Sequence, residues 1–412
     1  MTSRLHKVSA ICAALAFVLG VFYIAQPTYA EEQPAEVRSQ STTQMNSAPE
    51  NVNVNIINDT TTRVQNFNSN WKFKLGDASG AENATYDDSS WESVSLPHDY
   101  SIDQPYSQSG EAESAYKPGG EGWYRKTFEV SPDLQGKRFR LDFDGVYMDS
   151  TVWVNGHMLG THPYGYTPFA FDITPYIKPG EQNVITVRVN AQTPSSRWYS
   201  GAGIGRDVDL VVTNPVHVSK DGVKATAPKL ASEVGGSVTT QLTTSVTNSS
   251  DSPVNVQVVQ TVFARGTSPQ QAIASVTTER SINANTTDTF NASAVTSSSP
   301  ALWDIDNPNL YTVRTEVKVD GNVVDTYDTT FGYRYFDFDA EKGFLLNGRP
   351  VKIKGVCMHH DQGALGSVST ADAVRRQVQI LKNMGANAIR TSHNTPSREL
   401  IEACNEQGVL LD

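Results

Sequence analysis

The sequence predicts a multidomain chain: a β jelly roll, an immunoglobulin-like β-sandwich, and then the first three strands of an incomplete (β/α)8 barrel. Three observations carry this. Apolar and polar residues alternate with period two through two long segments between about Val64 and Gly332. The dipeptides Asn155-Gly156 and Asp320-Gly321, which tolerate the positive φ of tight hairpin turns, each join two such runs. After Phe344 the period lengthens, and strand-like runs alternate with amphipathic stretches bearing helix start and stop signals.

The chain begins with Arg4 and Lys7, then an apolar run from Val8 to Ala25, then Thr28-Tyr29-Ala30 before Glu31. This is the pattern of a secretory signal peptide over residues 1–30, with an uncleaved anchor as the alternative. It predicts a secreted or cell-surface protein. Residues 31–62 are rich in Ser, Thr, Asn, Gln and Glu and predict a disordered linker.

Composition bounds the rest. The 412 residues are 38% hydrophobic and 9% aromatic, enough for packed cores. The formal charge of −11 argues against nucleic acid, whose phosphates need a basic surface, and against a polybasic membrane-surface protein. Removing residues 1–30 takes two basic residues with it and leaves −13 (31 basic against 44 acidic residues). Cys12 lies in the export segment, so only Cys357 and Cys404 remain. One bridge between them stays open, but two buried apolar thiols are the expectation.

In residues 63–215, Phe139, Leu141 and Phe143 alternate with Arg138, Arg140 and Asp142, and Thr151–Val154 runs into the Asn155-Gly156 turn. Short half-buried strands separated by Gly, Pro and Asn predict a jelly roll or sandwich. In residues 216–333, Val238, Thr240, Leu242, Thr244 and Val246 keep strict alternation. Length and strand spacing there suit an immunoglobulin-like sandwich without an internal disulfide, in the role of a spacer.

Residues 334–412 read βαβαβ. Val351–Val356 is a predicted strand, and Ser369 or Thr370 caps a helix with Val374, Val378 and Leu381 on one face, ending at Gly385. Asn387–Arg390 is the second strand. Thr395 is then the predicted cap, with Pro396 at the first helical position and Leu400, Ile401 and Cys404 as the apolar stripe up to Gly408. Val409–Asp412 opens a third strand. A (β/α)8 barrel has eight strands in about 250 residues, so this segment reads as a barrel's beginning.

In parallel α/β domains the site lies at the C-terminal strand ends. His359, His360 and Asp361 follow the first strand; Arg390, Ser392 and His393 follow the second. His359 and His393 fall at equivalent places on neighbouring strands and could share a pocket for a polar substrate, capping or loop-anchoring roles being the alternative. Adjacent ligand types diverge, and no H-x3-H spacing is present, so no metal residue is assigned. Phosphate-loop, dinucleotide and serine-nucleophile motifs are absent.

In the first domain, Leu96–Tyr100, Gly122–Phe128 and Ser195–Tyr199 mix aromatic and charged residues. Flat faces beside hydrogen-bonding groups suit sugar rings. Trp123 and Trp153 lie inside alternating strands and read as core. Asp99 and Arg197 fall in loop-like stretches, where ligand contact and structural use both stay open.

These residues together resemble glycoside hydrolase family 2, and within it the exported bifidobacterial-type β-galactosidases. The resemblance rests on Gly122-Trp-Tyr-Arg-Lys-Thr-Phe128, Phe143-Asp-Gly-Val146 with Val152-Trp-Val-Asn-Gly156, Ile204–Val208, Leu302-Trp303 through Tyr311, Phe344–Gly348 into Lys354-Gly-Val356, His359-His-Asp361, and Asn387-x-Ile-Arg-Thr-Ser-His393. It implies a sugar-binding jelly roll and a retaining mechanism with two glutamates about 5–5.5 Å apart. In the family these follow the fourth and seventh barrel strands. No catalytic residue is therefore assigned, and Glu399, Glu402 and Glu406, on the second helix, are no substitutes.

The resemblance implies substrate-binding roles for His359, His393, Arg390, Asp99 and Arg197. It departs from the family at Arg197 (an aspartate in other members), at Pro396 (one position late) and at Gly205 (usually bulky). The implied partner is a β-galactoside carbohydrate, with no nucleic acid and no membrane after signal cleavage. It implies no cofactor for this chain, magnesium or sodium belonging to full-length members. The resulting expectation is the N-terminal part of a β-galactosidase-type hydrolase, inactive alone. A β-glucuronide or β-mannoside is the alternative substrate, and a non-catalytic carbohydrate-binding protein the alternative function.

Overall fold

The computed structural model describes residues 55–59 and 62–412. The predicted signal peptide and most of the predicted linker lie outside the described residues.

The first domain is a jelly roll built from two sheets. Its strands are β1 (Asn55–Ile57), β2 (Val64–Asn66), β3 (Trp71–Leu75), β4 (Glu92–Val94), β5 (Gly120–Val130), β6 (Arg138–Phe143), β7 (Ser150–Val154), β8 (His157–His162), β9 (Phe169–Asp172), β10 (Gln182–Ala191) and β11 (Val208–Thr213). The larger sheet runs β4-β3-β5-β10-β7-β8, and the smaller β2-β11-β6-β9. Inward residues of both sheets, including Phe73, Tyr124, Phe128, Leu141, Phe143, Val152 and Val187, form one core. The β7–β8 hairpin turns on Asn155 and Gly156, both at positive φ (50° and 83°), as the dipeptide predicts.

One expectation is corrected here. Residues 55–57, assigned to the disordered linker 31–62, form β1, which pairs in parallel with Phe128–Val130 of β5 where β3 no longer covers it. Ile57 enters the core, and the segment docks on an otherwise open stretch of sheet edge.

The second domain is the immunoglobulin-like sandwich. Its strands are β12 (Val216–Thr226), β13 (Thr239–Asn248), β14 (Val254–Ala264), β15 (Ala274–Ile282), β16 (Thr286–Val295), β17 (Tyr311–Val319) and β18 (Asn322–Phe331), with a short helix α1 (Leu230–Glu233). Sheets β12-β13-β16 and β15-β14-β17-β18 enclose Val218, Val246, Val256, Val258, Phe290 and Val317.

The third domain opens with a hairpin sheet, β19 (Phe336–Asp339), β20 (Gly343–Leu346) and β21 (Arg349–Pro350). Three parallel strands follow: β22 (Gly355–Met358), β23 (Ala388–Thr391) and β24 (Leu410–Leu411), joined by α2 (Ala371–Asn383) and α3 (Arg398–Gln407). Val374, Val378, Leu400, Ala403 and Cys404 of the helices pack on Ile389 and Val409. The predicted strand 351–356 shifts to Gly355–Met358, because Val351 instead bonds back to Phe344 in the hairpin, which the period analysis did not find.

The predicted cap at Thr395 moves to Ser397, whose Oγ accepts from Leu400 N–H at 3.3 Å. Arg206 of the jelly roll binds the Thr395 carbonyl at 2.9 Å and holds that residue out of the helix. Gly408 ends α3 in the left-handed region, φ 70°. Ile401, read as part of the apolar stripe, is 43% exposed. Among the described residues both thiols are free, Cys404 buried as expected but Cys357 exposed, because odd positions of β22 point away from the helices.

The face of β22–β24 opposite the helices carries Cys357, Ala388, Arg390 and Leu410 and continues onto Phe336, Phe338 and Phe344 of the hairpin. Phe336 and Phe338 are 62% and 72% exposed.

Candidate functional site

The jelly roll seats three loops on the tops of the parallel strands, and polar contacts fix them there. Asp99, in the loop between β4 and β5, is the centre of one knot. Its Oδ1 accepts from the N–H groups of Ser101 and Ala202 at 3.0 and 2.9 Å. Its Oδ2 accepts from Tyr199 Oη at 2.6 Å, Ser367 N–H at 2.8 Å and Ser367 Oγ at 3.1 Å. Ser367 belongs to the loop after β22, so one buried carboxylate ties two domains together. Burial and the adjacent Asp99 charge push the Tyr199 phenol up from its ordinary range.

A second tie is Arg206. Its buried guanidinium donates to the carbonyls of Tyr166 and Thr395 at 3.1 and 2.9 Å. A third is Arg398, at the start of α3, which pairs with Asp209 at 2.8 Å and Asp207 at 3.2 Å.

Between these ties three rings meet. Trp198, midway along the loop after β10, lies with its centroid 5.4 Å from His359 and 5.7 Å from His393, and the two histidine rings are 6.0 Å apart. The histidines follow the ends of β22 and β23, whose register pairs Met358 with Thr391 and so sets His393 one residue further along its strand than His359. Trp198 Nε1 donates to Tyr166 Oη at 3.3 Å, and His360 Nε2 lies 3.4 Å from both Tyr166 Oη and the Ser200 carbonyl. Burial lowers the His360 pKa to about 4 and leaves the ring neutral. Tyr164 Oη donates to Asn394 Oδ1 at 2.6 Å.

The adjoining cleft is lined by Tyr166, Arg206, His359, His360, Ser392 and Asn394, among others, and among the described residues no Asp or Glu lines it. His359 Nδ1, Ser392 Oγ and Asn394 Nδ2 are buried there without a hydrogen-bond partner. Flat rings beside unspent donors and acceptors can stack on and hydrogen-bond a hydroxylated ring. Among the described residues no group of three His, Cys, Asp or Glu stands close enough to hold a metal ion.

The five residues singled out from sequence separate. His359 and His393 face each other beside Trp198, with His393 exposed. Arg197, next to Trp198, is exposed, and no hydrogen bond or ion pair engages it among the described residues. Arg390 lies on the open apolar face, with its side chain 60% exposed and 4.0 Å from Asp412. Asp99 is only 2% exposed, and five donors occupy its two oxygens, so the structure gives it a structural use in place of the expected sugar contact.

Trp198, Tyr164, Tyr166 and His360 escaped the sequence reading as site residues. Trp198 and His360 stood in clusters already singled out; nothing local distinguishes Tyr164 and Tyr166. Trp123 is buried as read, and stacks on half-buried Trp153 at 5.7 Å.

A β jelly roll and an immunoglobulin-like sandwich set against the opening strands of a parallel barrel, with an aromatic cleft at the strand ends, define a carbohydrate-active enzyme architecture. Residues 64–215 match the sugar binding domain of glycosyl hydrolases family 2, residues 217–334 match glycosyl hydrolases family 2, and residues 339–411 match its TIM barrel domain. The chain belongs to glycosyl hydrolases family 2.

Among its relatives, β-galactosidase BoGH2A of Bacteroides ovatus is 44% identical over 350 residues, covering 84% of this chain and 40% of that protein. A putative β-glucuronidase of Formosa agariphila is 37% identical over 354 residues, covering 84% and 32%. A family 2 glycosyl hydrolase structure from Bacteroides cellulosilyticus superposes with a TM-score of 0.81 at 34% identity, covering 85% of this chain and 45% of that one. The chain thus spans 40% or less of the length of these two curated relatives.

Proposed function

We propose that this chain supplies the sugar-holding side of a retaining β-galactosidase-type glycosidase, with terminal β-galactosyl residues of lactose and related oligosaccharides as substrate. The observation that carries the reading is the cluster of Trp198, His359 and His393, where indole and imidazoles from two domains converge beside unspent polar atoms. The indole offers a stacking face to the apolar side of a pyranose, and the imidazoles reach its hydroxyls. The 44% identity to a β-galactosidase supports galactose as the sugar.

Retaining hydrolysis needs a carboxylic acid to protonate the leaving oxygen and a carboxylate to capture the anomeric carbon. Among the described residues the cleft is lined by neither. The 412-residue chain alone therefore binds sugar without turning it over. We propose an exported protein, on the strength of residues 1–30, with no metal required for sugar binding by this chain.

Calorimetric titration of the purified chain with methyl β-galactoside, beside a nitrophenyl galactoside hydrolysis assay, tests the reading. Binding that Trp198→Ala and His359→Ala each weaken, without hydrolysis, is the expected result. Hydrolysis traced to the pure chain overturns the inactivity, and absence of binding overturns the sugar-holding role. One observation favours a second substrate: Arg197 stands beside Trp198 with no acidic partner among the described residues, and a glucuronide carboxylate would pair with it. Tighter binding of methyl β-glucuronide than of the galactoside, abolished by Arg197→Ala, selects that alternative.

A further inference from the structure

The cleft beside the three rings is narrow, with about 50 Å³ open to the centres of water molecules. A pyranose does not fit in that space, so a bound sugar rests at its mouth, on Trp198 and the two imidazoles. At roughly 10–15 Å³ for each water centre, the cleft has room for about three waters.

Most of its polar lining is already paired. Arg206 gives its donors to the Tyr166 and Thr395 carbonyls. Ser369 Oγ donates to Ser397 Oγ at 2.7 Å, and Gln362 Nε2 to Gln377 Oε1 at 2.8 Å. Val374 and Leu400 add apolar side chains from α2 and α3. What remains is His359 Nδ1, Ser392 Oγ and Asn394 Nδ2, each buried and unpartnered, on residues that line this one cleft. Ser392 as a whole is only 4% exposed. A polar atom taken out of water without a partner costs free energy, and folded proteins meet such a cost with ordered water.

Two contacts arrange these atoms. Ser392 N–H donates to the Met358 carbonyl at 2.9 Å, which sets Ser392 beside the residue that precedes His359. Tyr164 Oη donates to Asn394 Oδ1 at 2.6 Å, and with the carboxamide oxygen held there, Nδ2 is the buried end. Only Nδ1 of the His359 ring is buried; Nε2 is open and makes no hydrogen bond among the described residues.

The donor and acceptor types fix the tautomer. Asn394 Nδ2 can only donate, whereas a hydroxyl can do either. A water that accepts from Nδ2 turns its own hydrogens towards Ser392 Oγ and His359 Nδ1. Nδ1 is then the acceptor, and the single proton of the neutral imidazole sits on Nε2. The open edge of His359 becomes a donor.

We propose that this cleft is a water site, whose waters link Asn394 and Ser392 to His359 Nδ1 and hold His359 as the Nε2–H tautomer that donates to an oxygen of the sugar. Ser392 and Asn394 are thus positioning residues. The contact to sugar rests on the sugar-holding reading above; the water site and the tautomer do not.

Nitrogen-15 NMR of the 412-residue chain labelled at histidine, at pH 8 where ordinary imidazoles are neutral, reads the tautomer without sugar, and His359→Gln assigns the signal. The wild type should show a protonated Nε2 and a bare Nδ1. Asn394→Asp keeps the bond from Tyr164 but replaces the donor by an acceptor, which turns the water round and should move the proton to Nδ1. Ser392→Val should fill the cleft and mix the tautomers, while Ser392→Thr keeps the hydroxyl and the wild-type signal. In calorimetry with methyl β-galactoside, Asn394→Asp and Ser392→Val should bind roughly two- to tenfold more weakly, the worth of one hydrogen bond, and Ser392→Thr as the wild type does. Circular dichroism checks that each variant is folded. An Nδ1–H ring in the wild type, or a tautomer that folded Asn394→Asp leaves in place, overturns the proposal. The expected tautomers in a wild-type chain that binds no galactoside support the water site and overturn the sugar-holding reading instead.

Discussion

Replacing Asp99 by alanine should destabilise the seat of the jelly roll on the barrel strands. The substitution strips the acceptor from five donors: the N–H groups of Ser101, Ala202 and Ser367 and the hydroxyls of Tyr199 and Ser367. The two hydroxyls can turn to other acceptors, but the three backbone donors cannot. At about 1 kcal/mol or more for each stranded amide, and with the charge-assisted character of the bonds, the expected loss is about 3–5 kcal/mol.

Asp99→Asn keeps one oxygen for Ser101 and Ala202 and presents an amide to the rotatable hydroxyls, so chiefly the Ser367 N–H is stranded, at about 1–2 kcal/mol. Urea unfolding followed by tryptophan fluorescence gives the stabilities, and hydrogen exchange at Ser101, Ala202 and Ser367 localises the loss. A spectrophotometric titration should also find Tyr199 released towards its ordinary phenol range in the alanine variant, since the Asp99 charge is one of the causes that raise it. Alanine and asparagine variants of equal stability, or an alanine variant within about 0.5 kcal/mol of the wild type, would refute the assigned knot.

Gly201→Ala should destabilise comparably. Its φ is 68°, and a Cβ there would fall 1.8 Å from Ser367 Oγ and 2.5 Å from Asp99 Oδ2; adding Ser367→Gly should restore part of the lost melting temperature. His360 should make stability fall in mild acid. Its folded pKa is about 4 against about 6.5 unfolded, so below pH 6.5 the unfolded chain takes up a proton that the folded chain refuses. The contribution is complete above pH 6.5, shrinks by up to roughly 3 kcal/mol as pH falls to 4, and His360→Gln should flatten that part of a denaturation–pH profile. The open face of β22–β24 should drive self-association of this chain, and Phe336→Ser with Phe338→Ser should lower its light-scattering mass at a given concentration.

Much of the architecture was legible because its signals are local. Alternation such as Phe139, Leu141, Phe143 sets one face of a strand whatever lies elsewhere, and Asn155-Gly156 and Asp320-Gly321 carry the turn in their own backbone preferences. Local signals failed where distant residues decide. Thr395 and Pro396 form a sound helix start in isolation, but Arg206, far away in sequence, claims their segment. The docking of β1 likewise depends on how far β3 covers β5.

The site divides the same way. That His359 and His393 follow neighbouring parallel strands could be read in advance, although the register offsets them by one residue. Asp99 was recognised as special, but its partner Ser367 lies 268 residues away, and no spacing rule tells a carboxylate that meets a ligand from one that meets another domain. Tyr166 enters through packing against His360, at a centroid distance of 4.7 Å, a relation equally invisible along the chain.

The Asp99 knot also bears on how such chains can be recombined. Residues 99, 201 and 367 belong to different segments but answer to one another within a few ångströms. A chimaera that drew the jelly roll from one parent and the barrel from another would inherit a carboxylate cut for a different serine. Successful exchanges should therefore move all three positions as a single block, or rebuild the junction by paired substitution before any new specificity is asked of it.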